Sequence, residues 1–327
     1  MAGSHANQHS TSPAIDQLTK VASLLLSSAL APGSQEVYKR AARKFADFCR
    51  SCLGKPSAFP SSLDSVILFA SFLFSSSFAP ATIQTYVFAV CYINHLCSGV
   101  DLAKSFLLKK LFTGISRCSA PRELRAPITI PLLHRLLAKL NSSPLSDYDK
   151  LLFSAMFLLA FYGFLRVGEF TLRSSSSPRS LILQASDIAF STQNSQPVLC
   201  LSIRVFKGNT SATPFIIYIS SVPSAWCPVL FMRRYLAMRG ELPGPLFCFC
   251  NGSPVSRADF SLRLTQLLAA AGVSQANIKP HSFRIGAATA ACAAGVPDAT
   301  IQRLGRWKSD AFKRYIRMPS LSSIPLV

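Results

Sequence analysis

The sequence predicts a mainly α-helical chain with a small β-sheet, folded as two domains. Three observations carry this. Apolar residues recur at helical spacing through residues 20–117 and again from residue 225 onward. Strand-like runs are confined to residues 181–219. A basic strip with two prolines, residues 118–127, separates the helical regions. The chain has 327 residues, half of them hydrophobic, enough for one large or two ordinary domains.

Residues 1–19 are expected to be a disordered leader. Val21–Ala31 is expected to be an amphipathic helix leading into the first domain. A secretion segment is the alternative, but the residues before it are mostly polar and Lys20 is their only base. From Gln35 to Leu53, Tyr38, Ala41, Phe45, Phe48, Cys49 and Cys52 mark one apolar face. Lys39, Arg40, Arg43, Lys44 and Arg50 decorate the rest, either as a solvated face or as one that tracks phosphates; a lack of interleaved acids favours the second. Ser62–Ser77 is an apolar helix. Pro80 opens another in the favoured first-turn position, ending at Ser98-Gly99, and a fourth covers Ala103–Arg117. Residues 20–117 thus form a compact helical domain. The linker 118–127 carries Arg122 and Arg125 and is either a plain spacer or a strip lying along a polyanion.

The second domain, residues 128–327, begins with helices Pro131–Leu140 and Asp147–Phe161, the latter with Asp147 as its expected cap. Strands follow at Leu181–Leu183 leading toward Ile188, at Val198–Phe206 and at Pro214–Ile219, the last two joined as a hairpin through Lys207–Ser211. Helices resume at Ala225–Arg239, Ser256–Ala271, His281–Ala294, Pro297–Leu304 and Ser309–Arg317.

The formal charge is +20, from 34 basic and 14 acidic side chains, which points to a polyanionic partner. Nucleic acid and an acidic membrane surface are the candidates. The bases are dispersed from Lys39 to Arg317 and form no juxtamembrane cluster, which favours nucleic acid. Leu151–Leu165 is strongly apolar but too short to span a bilayer and suits a buried core helix. The ten cysteines are irregularly spaced, as expected of buried free thiols in a reducing compartment. Cys49-x-x-Cys52 has the spacing of half a zinc site, but no second pair at finger spacing follows it and both sulfurs fall within one helical pattern.

Several residues fit the parts needed to cleave a phosphodiester. Charge that builds on the phosphate needs fixed cations, and the planar guanidinium fork of arginine suits this best. A nucleophile must attack, and an acid must protonate the leaving oxygen. His281 and Arg284 lie three apart at a helix start, so both project to one face. Arg166 abuts the apolar run that ends at Leu165, either snorkelling or held for a buried anion, and Glu169 can orient an arginine. Lys207 sits at the hairpin tip, either solvated or reaching to deliver a proton. Tyr315 is flanked by Lys313, Arg314 and Arg317, a setting that attracts a phosphate, and the Trp307 indole either packs or donates to one.

Three stretches carry a family resemblance: Gly163-Phe164-Leu165-Arg166-Val167-Gly168-Glu169, His281-Ser282-Phe283-Arg284-Ile285-Gly286-Ala287-Ala288-Thr289, and Leu304-Gly305-Arg306-Trp307 through Tyr315. Together they resemble the tyrosine recombinases, the phage integrase family, and most closely its eukaryotic transposon-borne Crypton and DIRS branch. The resemblance covers about residues 20–318. It implies a helical SAM-like core-binding domain at 20–117 and an α+β tyrosine-recombinase catalytic domain at 128–327, clamped around DNA. It implies that Arg166 and Arg284 hold the scissile phosphate, that Lys207 is the general acid for the 5′-hydroxyl, and that His281 assists proton transfer. Trp307 then takes a position held by histidine in many members, and Tyr315 attacks to form a 3′-phosphotyrosyl link. Lys308 is a second candidate for the lysine. The Trp307–Tyr315 interval is eight residues, one shorter than in most bacterial members, and reads as a trait of the transposon branch.

The partners implied are double-stranded DNA and further copies of the chain in a homo-tetramer, with no membrane and no small-molecule substrate. No cofactor and no metal are expected. The location implied is nuclear in a eukaryotic host, cytoplasmic otherwise, and not secreted. A transposon-derived DNA-binding protein without activity and a type IB topoisomerase-like enzyme are the alternatives. The complete set Arg166, Lys207, His281, Arg284 and Tyr315 and the motif spelling favour the recombinase.

Overall fold

The computed structural model describes residues 13–120, 124–206, 209 and 213–317. The chain divides into two compact units, Met1–Arg122 and Glu123–Val327.

The first unit contains helices α1 (Pro13–Ser28), α2 (Pro32–Leu53), α3 (Leu63–Ser75), α4 (Pro80–Ser98) and α5 (Phe106–Cys118), with a 3-10 turn at Leu102–Lys104. Proline opens α2 and α4, where its missing N–H is no loss. The Ser62 hydroxyl caps α3 by accepting from the Ser65 N–H. The core stacks Phe45, Phe48 and Phe69 of α2 and α3, with the Phe45 and Phe69 rings edge-to-face at 5.0 Å, against Val87 and Val90 of α4. Of the expected leader 1–19, residues 1–12 lie outside the described residues; residues 13–19 differ from it, being already helical in α1, where Leu18, Leu24 and Leu25 are exposed.

The second unit is built around helix α7 (Asp147–Tyr162), which follows α6 (Ile130–Asn141). Every residue of α7 from Leu152 to Phe161 is buried, as expected of a helix apolar on all sides. Its cap is Ser146, which accepts from the Asp149 N–H; Asp147 instead lies in the first turn, where its carboxylate suits the helix dipole. The short helix α8 (Val167–Phe170) leads to an antiparallel sheet in the order β1 (Ile188–Gln193), β2 (Gln196–Ile203), β3 (Phe215–Ser220). Leu199, Leu201, Ile203, Ile217 and Ile219 face the core. The strand expected at Leu181–Leu183 does not form. Pro178 opens a 3-10 turn at Arg179–Leu181, and Leu183 spends its N–H on the Glu169 carbonyl. β2 also stops short of Phe206, where Arg204 turns aside to pair with buried Asp187. Residues 207, 208 and 210–212 of the β2–β3 connection lie outside the described residues.

Helices α9 (Pro228–Arg239), α10 (Arg257–Ala270), α11 (Ser282–Ala293) and α12 (Asp298–Leu304) complete the unit. The helix expected at Ser309–Arg317 is instead a 3-10 segment, Asp310–Tyr315, started by the Ser309 hydroxyl accepting from the Ala311 N–H. Of the ten cysteines, all free, Cys49, Cys91, Cys227 and Cys248 are buried, whereas Cys52, Cys97, Cys118 and Cys250 are exposed, against the expectation of general burial. Among the described residues, no helix is long and apolar enough to cross a membrane.

Helix α11 lies unusually close to the segment before α6. The Ile128 N–H donates to the Ser282 carbonyl, and a methyl carbon placed on Gly286 would lie 1.9 Å from the Ile128 oxygen. Gly286→Ala is therefore expected to destabilise the second unit by about 1–3 kcal/mol. Gly114, mid-helix in α5 with nothing near its missing Cβ, is the contrast. Gly114→Ala is expected to stabilise the first unit by about 0.5–1 kcal/mol. Denaturant titration of both variants checks the pair; two shifts of the same sign would contradict it.

Candidate active site

Two helix ends and two helix starts build the site. Helix α7 stops in a Schellman turn: the Leu165 N–H returns to the Ala160 carbonyl and the Phe164 N–H to the Phe161 carbonyl, both at 3.1 Å. Phe164 takes the left-handed conformation, with φ 49°. Helix α12 stops the same way: the Trp307 N–H returns to Gln302 at 3.0 Å and the Arg306 N–H to Arg303 at 2.9 Å. Here Arg306 is the left-handed residue, with φ 54°. Glycine is the usual occupant of this position, and α10 and α11 use it, at Gly272 and Gly295.

Each turn gives one carbonyl to Arg284. Its two Nη groups donate to the Phe164 and Gly305 carbonyl oxygens. Arg284 is fully buried. The Trp307 ring lies 4.2 Å and the Tyr315 ring 5.9 Å from its guanidinium carbon. Gly305 makes this stacking possible, since a Cβ there would fall 1.6 Å from the Trp307 ring.

Arg166 begins α8. The Glu169 Oε2 accepts the Arg166 backbone N–H at 2.9 Å, and Oε1 accepts its Nη1 at 3.1 Å. Oε2 also accepts from the Arg306 Nη2 at 2.7 Å. Glu169 and Arg306 are buried, while the Arg166 side chain is 23% exposed and is the guanidinium that faces solvent. Arg166, Arg284 and Arg306 against Glu169 leave two positive charges in excess, 3 − 1 = 2. Burial, with repulsion from Arg166 and Arg306, pushes the Arg284 pKa down to about 9, so it stays charged at neutral pH. Burial also lowers that of Arg306, and Glu169 opposes the shift. Arg284 Nε, Arg306 Nε and Trp307 Nε1 are buried donors without an acceptor among the described residues.

The Tyr315 ring lies 4.9 Å from Trp307 and 5.2 Å from His281. The Thr289 hydroxyl donates to the Tyr315 carbonyl at 3.3 Å and accepts the Arg317 N–H at 3.0 Å, tying the tyrosine's turn to α11. Two of the flanking bases turn away from the ring: Lys313 pairs with Asp310 at 3.6 Å, and Arg314 is exposed, while Arg317 is partly buried and donates to the Arg314 and Ile316 carbonyls. The cation near the ring is Arg284.

The structure thus brings together Arg166, Glu169, His281, Arg284, Trp307 and Tyr315. Lys207 and Arg122 lie outside the described residues, and Lys308 is exposed. Arg306 was not singled out by sequence; the signal was an arginine at the helix-stop position after Gly305, where glycine is expected. Among the basic residues proposed to touch a polyanion, Lys39, Arg40, Arg43 and Arg125 are exposed. The face of α2 does carry acids, a correction: Lys39 pairs with Glu36 at 3.6 Å and Arg50 with Asp47 at 3.5 Å. Lys44 lies 5.1 Å over the Phe78 ring and is partly buried. Among the described residues, no group of three or more His, Cys, Asp or Glu side chains is placed to hold a metal.

Residues 200–318 match the phage integrase family, a span that includes His281, Arg284, Arg306, Trp307 and Tyr315 but not Arg166. No curated protein matches the chain by sequence. The fold is similar to that of the XerH site-specific recombinase in a post-cleavage complex with palindromic difH substrate, with a TM-score of 0.62 and 13% identity over 86% of this chain and 75% of that one. It is similar to the Tn1549 transposon integrase in complex with transposon right-end DNA, with a TM-score of 0.59 and 14% identity over 90% and 92% of the two chains. A lambda integrase dimer bound to a COC′ core site gives a TM-score of 0.57 and 14% identity over 94% and 82%. At these identities the likeness is one of fold, that of tyrosine-recombinase catalytic domains: mainly helical with a three-stranded antiparallel sheet.

Burial pushes the His281 pKa down to about 4, helped by Arg284, Arg125 and Arg166. The folded imidazole is therefore neutral, while the unfolded chain takes its proton near the ordinary value of about 6.5. The unfolded state gains this proton first, so stability from neutral His281 is present above about pH 6.5 and is lost as pH falls toward about 4. Thermal melts from pH 7 down to about pH 4.5 are expected to show wild type losing its stability margin over His281→Asn. Parallel curves would count against the neutral imidazole.

Proposed function

We propose that the chain is a tyrosine recombinase that cuts and rejoins double-stranded DNA, with Tyr315 as the nucleophile. One observation carries this: a tyrosine ring covers a largely buried cluster with two excess positive charges and, among the described residues, three donors without an acceptor. A phosphodiester carries one negative charge and gathers a second as a phenolic oxygen attacks. A fixed cationic site stabilises that second charge without reorganising.

In this reading the Tyr315 oxygen attacks phosphorus and its proton leaves toward neutral His281. The bond to the 5′-oxygen breaks, and a 3′-phosphotyrosyl link forms. A 5′-hydroxyl of a new partner reverses the step, so the phosphodiester energy is conserved in the link. Arg166, open to solvent, meets the phosphate first. Arg284 is sealed beneath Tyr315 and Trp307, so its direct contact with the phosphate requires the tyrosine to swing off its face. The Trp307 indole N–H supplies a further donor. Lys207 is assigned the general acid on the family resemblance alone. Strand exchange between two duplexes calls for four tyrosines, hence a homo-tetramer. The motif spelling points to integration or excision of a mobile element, in the nucleus where the host is eukaryotic.

A suicide duplex, nicked so that the released strand diffuses away, tests this in EDTA. Wild type is expected to form a denaturant-resistant protein–DNA adduct, and Tyr315→Phe none. Equal absence of adduct in both would sink the proposal. Arg166→Ala is expected to lower cleavage about 100- to 1000-fold with little change in stability. Arg284→Ala should lose cleavage and also about 1–3 kcal/mol of stability for each carbonyl it leaves buried and unpaired. Adduct kinetics beside thermal melts separate the two arginines.

A further inference from the structure

We infer that Arg306 is a positioning residue, acting on the phosphate through Glu169 by holding one carboxylate oxygen so that Arg166 stays directed outward. This rests on the reading of the site given above. Arg306 is buried and belongs to none of the motif positions assigned a role. Its Nη2 lies 2.7 Å from Glu169 Oε2 and 3.3 Å from the Phe164 carbonyl, the same carbonyl that receives Arg284. Its guanidinium carbon lies 5.7 Å from the Phe206 ring and 5.9 Å from the Phe215 ring, at the two ends of the β2–β3 connection. One side chain therefore joins α8, the end of α7, the base of the hairpin and the segment leading to Tyr315.

The arrangement has an electrostatic logic. Glu169 carries one charge and is contacted by two guanidinium groups. Each oxygen serves one of them: Oε1 takes Arg166, and Oε2 takes Arg306 together with the Arg166 backbone N–H. A carboxylate left with a single arginine partner favours the two-oxygen fork. Without Arg306, Glu169 is free to draw the Arg166 fork onto both oxygens and away from a phosphate. The backbone at Arg306 supports a dedicated role. A left-handed non-glycine residue is strained by its Cβ, and such strain persists where the surroundings enforce it. Glycine would end α12 without that cost, so the turn itself does not require arginine.

This logic predicts suppression. Arg306→Gln is expected to lower cleavage of the suicide duplex about 30- to 300-fold at saturating DNA, with DNA affinity changed less than about threefold. Adding Glu169→Gln removes the charge that captures Arg166, so the double variant is expected to recover about tenfold or more over Arg306→Gln. Arg306→Lys should keep part of the rate. Arg306→Gly, which suits the turn, should melt near or above Arg306→Gln yet cleave no faster. A purely structural role would give additive losses that follow melting temperature.

A second readout works even without cleavage. Inorganic phosphate binding is followed by Trp307 fluorescence in a Trp226→Phe background, since the chain has two tryptophans. Arg306→Gln is expected to weaken it and the double variant to restore it. If wild type forms a Tyr315-dependent adduct and Arg306→Gln cleaves within about threefold of it, or the double variant is no faster, the inference is overturned while the recombinase reading stands. If wild type forms no adduct, that reading fails and phosphate binding decides the inference: weakening with recovery upholds it, and no difference among the variants overturns it.

Discussion

The constraint on which the second unit depends is the burial of the Arg284 guanidinium. A charged group with no solvent contact is tolerated only where hydrogen bonds and counter-charge replace its hydration. Here two backbone carbonyls and two aromatic faces do so, with Glu169 nearby as counter-charge. Both carbonyls come from helix ends, and a helix end is where carbonyls lack intrahelical partners. The fold therefore brings the ends of α7 and α12 to the first turn of α11, and the unsatisfied acceptors of two helices become the cradle of one cation.

The cradle requires both turns to curl inward, which explains their composition. At α10 and α11 the left-handed stop is glycine and the chain turns without strain; at α7 and α12 it is Phe164 and Arg306. The side chains are what the site uses there. The Phe164 ring packs against Trp307 at 6.5 Å, and Arg306 reaches back to Glu169. A non-glycine stop is not peculiar to the site, since the left-handed stop after α3 is Ser77 with φ 59°, but at α7 and α12 the strained residues carry side chains that the charged cluster uses.

Much of this was legible in the sequence because it was periodic or punctuated. The buried helix α7 announced itself by an unbroken apolar run, and His281 with Arg284 by three-residue spacing at a helix start after Pro280. Prolines located the starts of α2 and α4. What was not legible depended on tertiary contact. The Leu181–Leu183 segment has strand composition, but its backbone groups are claimed by Glu169 and Leu246. Lys44 looked like a free cation and is partly buried over an aromatic ring. Arg306 looked like one more base in a basic chain: its place at a helix stop hints at a special backbone, but nothing local tells that its partner is Glu169, 137 residues away.

The eight-residue interval from Trp307 to Tyr315 has a physical resolution in the same terms. Trp307 closes the α12 stop, so its position is fixed by the turn's hydrogen bond to Gln302. From there the chain must place Tyr315 over Arg284 with one residue fewer than the interval the family resemblance implies for most bacterial members. An α-helix rises about 1.5 Å per residue and a 3-10 helix about 2.0 Å. Over the six residues of Asp310–Tyr315 the 3-10 form gains about 3 Å, more than the rise of the missing residue. The tighter winding is the means by which a shorter segment still delivers the ring to 4.9 Å from Trp307 and 5.9 Å from Arg284, within its own subunit. Poorer hydrogen-bond geometry makes such a segment easier to unwind than an α-helix. In the proposed reaction that suits a tyrosine that lifts off Arg284 before a phosphate takes its place.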